Sequence, residues 1–195
     1  MIYILCAFES EARALIDKYK LQKKHTGPYK YFDDENHLIL ISGMGQDNAA
    51  QAVTHLLLNF SHSQEDIFIN LGICAAQNTF EIGELVQVKK LQNSQESHYL
   101  STPLSKITSV SCFSSNKTLD RPVNEDIAEM EAMNIYKTVS QYFHADKISF
   151  LKVVSDHFNP IKPSKQLVIS LINNRLAEIE NHLDNMLRLT LMKDK

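Results

Sequence analysis

The stretch "IYILCAFESEARALIDKY" (Ile2–Tyr19) joins two patterns that recur along the chain and decide the fold class. Ile2–Cys6 is a short apolar run, which is typical of a buried strand, and Glu9–Tyr19 has the pattern of a helix. Further strands are predicted at Leu38–Ser42, with a partner near Tyr29–Phe32, and at Ile67–Ile73, Glu84–Leu91, Ile107–Phe113 and Ile148–Ser155. The alternation predicts an α/β, three-layer fold whose central, mostly parallel or mixed sheet is flanked by helices.

The composition is that of an ordinary globular protein, and we predict one domain spanning residues 1–195. Apolar residues make up 44% of the chain and charged residues 22%. The net charge is −3 and no basic stripe stands out, so nucleic acid is not an expected partner. No apolar stretch approaches the roughly 20 residues of a membrane span, and the N-terminus lacks a basic leader. We therefore expect no membrane partner.

The cysteines and histidines show no metal or disulfide pattern. Cys6, Cys74 and Cys112 are the only cysteines, and no two of them have C-x-x-C spacing. The eight histidines show no H-E-x-x-H spacing. This usage argues against a disulfide framework or a zinc site and fits a reducing compartment. We predict a cytoplasmic protein without a metal or cofactor.

A carboxylate stands in an unexpected place in "EDIAEMEAMNIYKTVSQYF" (Glu125–Phe143). Apolar residues recur there at steps of three and four, which predicts an amphipathic helix. Glu131 falls three residues after Ala128 and four before Ile135, at the edge of the apolar stripe. Because a buried charge is costly without partners, such a residue is expected to have a partner or a function.

Two other segments bear on the site and on assembly. Ser164 can cap a final helix whose apolar stripe runs from Leu167 to Met186, and this helix packs on the domain or at a subunit interface. Together with the apolar segment Ala52–Phe60, it predicts a homodimer or larger homo-oligomer. The polar segment Gln92–Lys106 is either a loop over a site or an ordinary surface loop.

Acidic residues follow the predicted strands. Ligands of α/β sheets bind at the carboxyl ends of strands. Glu11 follows the first strand, Glu131 follows another, and Asp156 follows the last. One acid at a strand end is usually a helix cap, whereas three that converge indicate a site. We therefore expect these three acids to meet at one edge of the sheet.

The chain resembles the nucleoside phosphorylase and nucleosidase superfamily in a series of short motifs. These motifs are, in chain order, "CAFESEA" after the first strand, "SGMGQDNAA" before the second helix, "NLGICAA" at a strand end, "AEMEA" (Ala128–Ala132) and "VVSDH" (Val153–His157). Each motif is weak alone, but their order matches the family from Ile2 to His157. The resemblance implies a nucleoside phosphorylase-like fold and a small-molecule nucleoside as substrate.

The resemblance also implies roles for individual residues. Asp156 would be the acid that protonates the purine as it leaves, and Ser155 would orient its carboxyl group. Glu131 would accept hydrogen bonds from the ribose, and Glu11 would position and activate the attacking water. The remaining substrate contacts are assigned to Met130, Gly72, Ile73 and an aromatic residue for the base, either Phe113 or Tyr99. In a phosphorylase, Arg13 and Gly43 would contact phosphate.

Two departures from the family pattern keep three functions open. Ala75 and Ala76 stand in place of a glycine pair, and Asn70 stands where purine phosphorylases have an arginine. A missing phosphate-binding arginine and the acid at Glu11 favour water over phosphate as nucleophile. We therefore predict a nucleosidase of purine metabolism and salvage, with a phosphorylase or a non-catalytic nucleoside-binding paralogue as alternatives.

Overall fold

A computed structural model describes residues 1–102, 106–159 and 161–193, with only the backbone described from 189 to 193. The strands are β1 (Ile2–Cys6), β2 (Gln22–Thr26), β3 (Tyr29–Asp33), β4 (His37–Ile41), β5 (Ile67–Ala76), β6 (Leu85–Gln92), β7 (Ser97–Tyr99), β8 (Thr108–Ser114), β9 (Ile127–Glu129) and β10 (Ile148–Asp156). The helices are α1 (Glu9–Tyr19), α2 (Gln46–Asn59), α3 (Ala132–Val139), α4 (Lys165–Asn173) and α5 (Leu176–Lys193). A 3-10 turn, Ala145–Lys147, precedes β10.

All the strands belong to one mixed sheet. The central strand β5 pairs in parallel with β1 and β10, and its end pairs antiparallel with β9. β10, β6, β8 and β9 are neighbours in that order, so the pairings from β5 around to β9 close a ring. On the other side, β1 continues through β4 and β3 to β2. The ring brings the ends of β5, β9 and β10 close together, which positions the site described below.

Helices cover both faces of the sheet because alternate strand residues point to opposite sides. One core contains residues of α2 and α3, including Val53, Leu56 and Ile135. The other contains residues of α1, α4 and α5, including Leu15 and Ile172. This arrangement confirms the predicted three-layer α/β fold. Among the described residues, no helix combines the length and apolar character needed to cross a bilayer.

The predicted helix over Glu125–Phe143 was wrong in its first part. Ile127–Glu129 forms β9, which pairs with both β5 and β8, and α3 begins only at Ala132. Sheet pairing therefore overrides the helical spacing before Glu131. That residue lies at the junction of strand and helix rather than on a helix face.

The final helix is two helices, and the polar segment after β6 is partly a strand. Asn174 and Arg175 separate α4 from α5, and Arg175 Nε donates to the Gly83 carbonyl at 2.6 Å, which ties the break to the sheet. Within Gln92–Lys106, Ser97–Tyr99 forms β7 on β6. Residues 103–105 of that segment lie outside the described residues. Its described residues do not line the cavity that holds the predicted acids.

Candidate active site

A cavity of about 740 Å³ opens at the carboxyl ends of β1, β5, β9 and β10. Its lining includes the three acids predicted from the sequence, Glu11, Glu131 and Asp156. The structure therefore brings them together, although they come from three separate parts of the chain. We call the buried carboxylates of the lining, Glu11, Glu129 and Glu131, the acidic floor.

Glu11 is held by backbone amides at the start of α1. Its carboxylate accepts hydrogen bonds from Phe8 N at 2.9 Å and from Ile73 N at 3.1 Å, so it ties α1 to β5. A Cβ on Gly72 would lie only 3.0 Å from Glu11 Oε1. Glycine at position 72 therefore leaves the space that this carboxylate occupies. Burial raises the pKa of Glu11, and the two amides and the ammonium of Lys152 oppose that rise.

Glu129 and Glu131 have different tasks at the junction of β9 and α3. The Glu129 carboxylate accepts from the N–H groups of Glu131 and Ala132, both at 2.9 Å, and so satisfies free amides at the start of α3. The Glu131 carboxylate instead accepts a hydrogen bond from Gly45 N at 2.9 Å. Burial and the neighbouring Glu129 raise the pKa of Glu131 to about 7. Near neutral pH, the Glu131 carboxyl group can thus exist in either protonation state.

Lys152 lies behind the acidic floor and was not identified from the sequence. It sits in the middle of β10, is 1% exposed, and its Nζ lies 3.1 Å from Glu129 Oε2. Burial alone would lower the pKa of Lys152, but the nearby carboxylates of Glu129, Glu131 and Glu11 raise it above its ordinary value. The only signal in the sequence was a lysine inside the apolar run Ile148–Ser155. One buried cation therefore faces several carboxylates.

Asp156 ends β10 with both carboxylate oxygens in hydrogen bonds. Oδ1 accepts from Asn159 N at 2.9 Å, and Oδ2 lies 2.7 Å from Ser155 Oγ. The Ser155 hydroxyl is also 3.1 Å from the Cys74 carbonyl oxygen. It can donate to either oxygen. Ser155 therefore connects the carboxyl group of Asp156 to the end of β5.

The other predicted substrate residues divide into two groups. Met130, Ile73 and Ser155 line the cavity, and Gly72 adjoins it through its contact with Glu11. Phe113 and Tyr99 do not line it. Phe113 lines a separate polar depression, and Tyr99 is 79% exposed on β7. Phe8 is the aromatic residue that the lining does contain, and it is 47% exposed at the mouth.

The residues predicted to bind phosphate make other contacts within the chain. Arg13 lines the cavity, but its guanidinium pairs with Glu9 and with Asp17. Gly43 has a φ of 80°, and its N–H donates to the Ala7 carbonyl at 3.0 Å. Asn70, at the position of the phosphorylase arginine, is buried, and its Nδ2 donates to the Leu5 carbonyl.

The alanine pair at positions 75 and 76 has ordinary strand geometry. β5 runs through Ala76, and its last residues pair with Ala128 and Ile127 of β9. Neither alanine is among the described residues with positive φ. Alanine is therefore compatible with the backbone here, and the strand end keeps its place beside the cavity. In the part of the chain that the structure describes, no group of His, Cys, Asp and Glu has the arrangement of a metal site.

Solved structures show the fold to which this chain is similar. The 5'-methylthioadenosine/S-adenosylhomocysteine nucleosidase of Helicobacter pylori, in complex with butyl-thio-DADMe-Immucillin-A, aligns with a TM-score of 0.76 at 11% identity, over 94% of this chain and 97% of that one. Futalosine hydrolase of Helicobacter pylori aligns with a TM-score of 0.71 at 11% identity, over 96% and 97% of the two chains. The nucleosidase of Campylobacter jejuni gives a TM-score of 0.70 at 16% identity, over 95% and 97%.

Comparisons with protein-family models and with curated proteins give no match. The structural neighbours belong to the nucleoside phosphorylase and nucleosidase superfamily, and this chain has their fold. The resemblance predicted from the sequence motifs is thereby confirmed at the level of the fold.

Proposed function

We propose that the protein hydrolyses the N-glycosidic bond of a purine-type nucleoside. The observation that carries the proposal is the meeting of Glu11, Glu131 and Asp156 in one cavity at the carboxyl edge of the sheet. The fold supports it, because the structural neighbours include nucleosidases and futalosine hydrolase. Fold alone does not determine function, so the proposal depends on what these side chains can do.

The reaction needs charge stabilisation on both sides of the bond that breaks. The sugar becomes oxocarbenium-like, as in other glycoside hydrolyses, and negative charge develops on the departing base. Carboxylates of the acidic floor face the positive sugar. Asp156, paired with Ser155, supplies the proton that the base takes up as the bond breaks. Each acid thus has a task that matches its position.

Glu11 and Glu131 divide the sugar side between them. Glu131 has one oxygen on Gly45 N, and its other oxygen can accept from ribose hydroxyls. Glu11 is fixed by two backbone amides, so its carboxylate can orient a water molecule at the anomeric carbon and accept its proton. Met130 also lines the cavity, and we assign it to packing on the sugar.

Water is favoured over phosphate because of the charges around the nucleophile. A phosphorylase needs free cations or amides to hold phosphate. Arg13 is paired with two carboxylates, and the Gly43 amide donates to a carbonyl. Lys152 pairs with Glu129, and the acidic floor would repel an anion. A phosphate-dependent reaction is therefore the second candidate.

A panel of purine nucleosides, incubated with and without inorganic phosphate, tests the proposal. We expect free base and free sugar at the same rate in both conditions. A sugar phosphate as product would instead establish a phosphorylase. Binding without turnover would establish a non-catalytic nucleoside-binding protein. The Asp156→Asn variant is the control for contaminating activity.

We further propose that the protein acts in purine nucleoside salvage in the cytoplasm, as a homodimer or larger homo-oligomer. The three cysteines are buried and free, which suits a reducing compartment.

A further inference from the structure

The end of β10 departs from regular strand geometry beside the cavity. Val154 pairs with Cys74 and Asp156 pairs with Ala75, so Ser155 is an extra residue in the pairing with β5. Successive residues of a regular strand point to opposite faces of the sheet, yet Ser155 and Asp156 both line the cavity. A bulge of this kind changes the direction of the side chains next to it. The irregular pairing therefore explains how Asp156 reaches the cavity together with its neighbour.

The chain that follows β10 bends back onto the carboxylate of Asp156. His157 Nδ1 lies 3.1 Å from the carbonyl oxygen of Ala76, which is the last residue of β5. Two residues later, Asn159 N donates to Asp156 Oδ1 at 2.9 Å. This hydrogen bond fixes the orientation of the carboxyl group, because one of its oxygens is held by a backbone amide.

Phe158, which lies between these two contacts, has a backbone conformation that bulky residues rarely adopt. Its φ is 59°, in the left-handed region, where the Cβ atom crowds the following carbonyl oxygen. Its side chain is only 4% exposed. Burial of an aromatic ring contributes more free energy than one left-handed residue costs. The buried ring can therefore hold the backbone in this conformation.

We propose that Phe158 is a positioning residue for Asp156: its buried ring holds a left-handed turn that keeps the N–H group of Asn159 on the carboxyl group of the acid. The inference rests on the proposed nucleosidase function, in which Asp156 protonates the departing base. Phe158 does not line the cavity, so it acts through Asp156 rather than on the substrate. Strained backbone beside a reacting group is a common form of such preorganisation.

Alanine and glycine at position 158 separate the backbone conformation from the burial of the ring. Both substitutions remove the ring, but glycine adopts positive φ freely, whereas alanine is disfavoured there. We expect kcat to fall by about 10² in Phe158→Ala, since a displacement of about 1 Å can have that effect. The kcat of Phe158→Gly should exceed that of Phe158→Ala by about fivefold. KM should stay near the parental value in both variants, because the ring does not line the cavity.

Lys20 supplies the matched control, because it is the other non-glycine residue with positive φ among the described residues. It follows α1 with a φ of 54°, is exposed and does not line the cavity. Lys20→Gly should be more stable than Lys20→Ala for the same backbone reason. Both control variants should keep the parental kcat, because no catalytic group depends on this turn.

The Asp156→Asn background tests whether Phe158 acts through the acid. Once the acid is removed, a residue that only positions it has nothing left to position. Phe158→Ala should therefore lower the residual kcat of Asp156→Asn by less than about twofold. Equal kcat values in Phe158→Ala and Phe158→Gly, whether lowered or parental, would overturn the inference. The same loss in the parental and the Asp156→Asn background would overturn it as well.

An NMR measurement without substrate separates this inference from the proposed function, and it does not require Phe158→Ala to fold. The amide proton of Asn159 should change its chemical shift as Asp156 titrates in the parent and in Phe158→Gly, but not in Asp156→Asn. An amide shift in the parent that does not respond to pH would overturn the inference even if the protein is a nucleosidase. The expected titration without turnover of any nucleoside would retain Phe158 as the residue that orients Asp156 and reject the hydrolase.

Discussion

Asp156 lies where a proton can reach a departing base, and its neighbours fix both of its oxygens. Ser155 and Asn159 supply the hydrogen bonds, so Asp156→Asn keeps the size of the side chain and removes the ionisable group. If Asp156 is the general acid, turnover falls by about 10²–10⁴ while nucleoside binding is largely retained. Steady-state kinetics and equilibrium binding on the same preparation check this. A variant as active as the parent would leave Asp156 a role in binding only.

The raised pKa of Glu131 predicts how the activity depends on pH. Its pKa is raised to about 7, first by burial and then by Glu129. A protonated Glu131 accepts ribose hydroxyls poorly, so kcat/KM should fall as the pH drops below 7. Glu131→Gln should lower kcat/KM at high pH and abolish this acidic limb. An acidic limb that is unchanged in the variant would assign it to another group.

Lys152 is expected to be important for stability because it neutralises buried charge. Lys152→Met leaves Glu129 buried without its cation, a loss that typically costs about 3–5 kcal/mol of unfolding free energy. Adding Glu129→Gln should recover part of that loss, which urea unfolding of the two single variants and the double variant would measure. If the losses in the two single variants simply add, the two side chains are not coupled.

The acids of this site were predictable from the sequence, whereas Lys152 was not. Glu11, Glu131 and Asp156 follow apolar runs, and the carboxyl ends of neighbouring strands meet. Lys152 lies within such a run, where alternation alone does not tell what its side chain faces. Its role follows from the closed ring of strands, which sets β10 against β5 and places the lysine beside Glu129. Phe113 and Tyr99, the aromatic residues predicted for the base, lie outside the five motifs that carry the resemblance.

At the scale of whole elements, α5 packs on the sheet through a buried histidine. His182 is 1% exposed, and its Nε2 lies 2.9 Å from Ser149 Oγ on β10. Its Nδ1 is buried and has no hydrogen-bond partner among the described residues. Burial lowers the pKa of His182 to about 4. Protonation therefore places a charge between α5 and the sheet.

The direction in which His182 changes the free energy of unfolding with pH follows from the difference between its pKa in the folded and in the unfolded chain. The unfolded chain binds a proton at His182 near pH 6.5 and the folded chain only near pH 4, so the free energy of unfolding falls as the pH drops through this window. The contribution is about 3 kcal/mol. Glu131 has the opposite sign, because its raised pKa adds stability at low pH that is lost as the pH rises to 7. The two effects oppose each other in the parent.

Single substitutions at His182 and at Glu131 separate their opposite effects on stability. His182→Gln keeps a hydrogen bond to Ser149 without titrating, so it should remove the loss on acidification and leave the parent less stable than the variant near pH 4.5. Glu131→Gln should show the steeper loss on acidification. Urea unfolding at pH 4.5, 6 and 8 measures both. Parallel curves for the parent and His182→Gln would mean that this histidine does not titrate differently in the folded state.

Most of the strands that the sequence predicted contain an apolar run that is buried in the core. β1, β4, β5, β6, β8 and β10 were all predicted, most of them from apolar runs that form the core, and β3 was predicted as the partner of β4. β2 has the exposed sequence Gln22–Thr26, and β7 and β9 have three residues each. Pairing with neighbours defines these strands rather than their own composition, so apolar patterning could not reveal them.

At the scale of the whole molecule, the apolar surface left after folding bears on the predicted assembly. The stripe of the last helices was predicted to pack on the domain or at a subunit interface, and Ile179 and Leu183 are buried in the core with residues of the chain's own sheet. The large apolar side chains that stay exposed include Leu58 on α2, at 80%, Phe8 and Met44 at the cavity mouth, and Leu167 and Leu187 on the last two helices. Leu58 is the most exposed of these side chains, so α2 offers the apolar position that a partner subunit would cover most fully.

We expect a homodimer that covers the exposed face of α2. A stable interface needs about 800 Å² from each partner, and covering the largely exposed Leu58 would remove apolar surface from water. Leu58→Glu should convert the dimer to monomer at micromolar concentration. Leu187→Glu, at an exposed position on α5, is the matched control and should not change the assembly. Sedimentation velocity measures both variants against the parent. A monomeric parent, or a dimer that only Leu187→Glu dissociates, would show that the α2 face is not the contact.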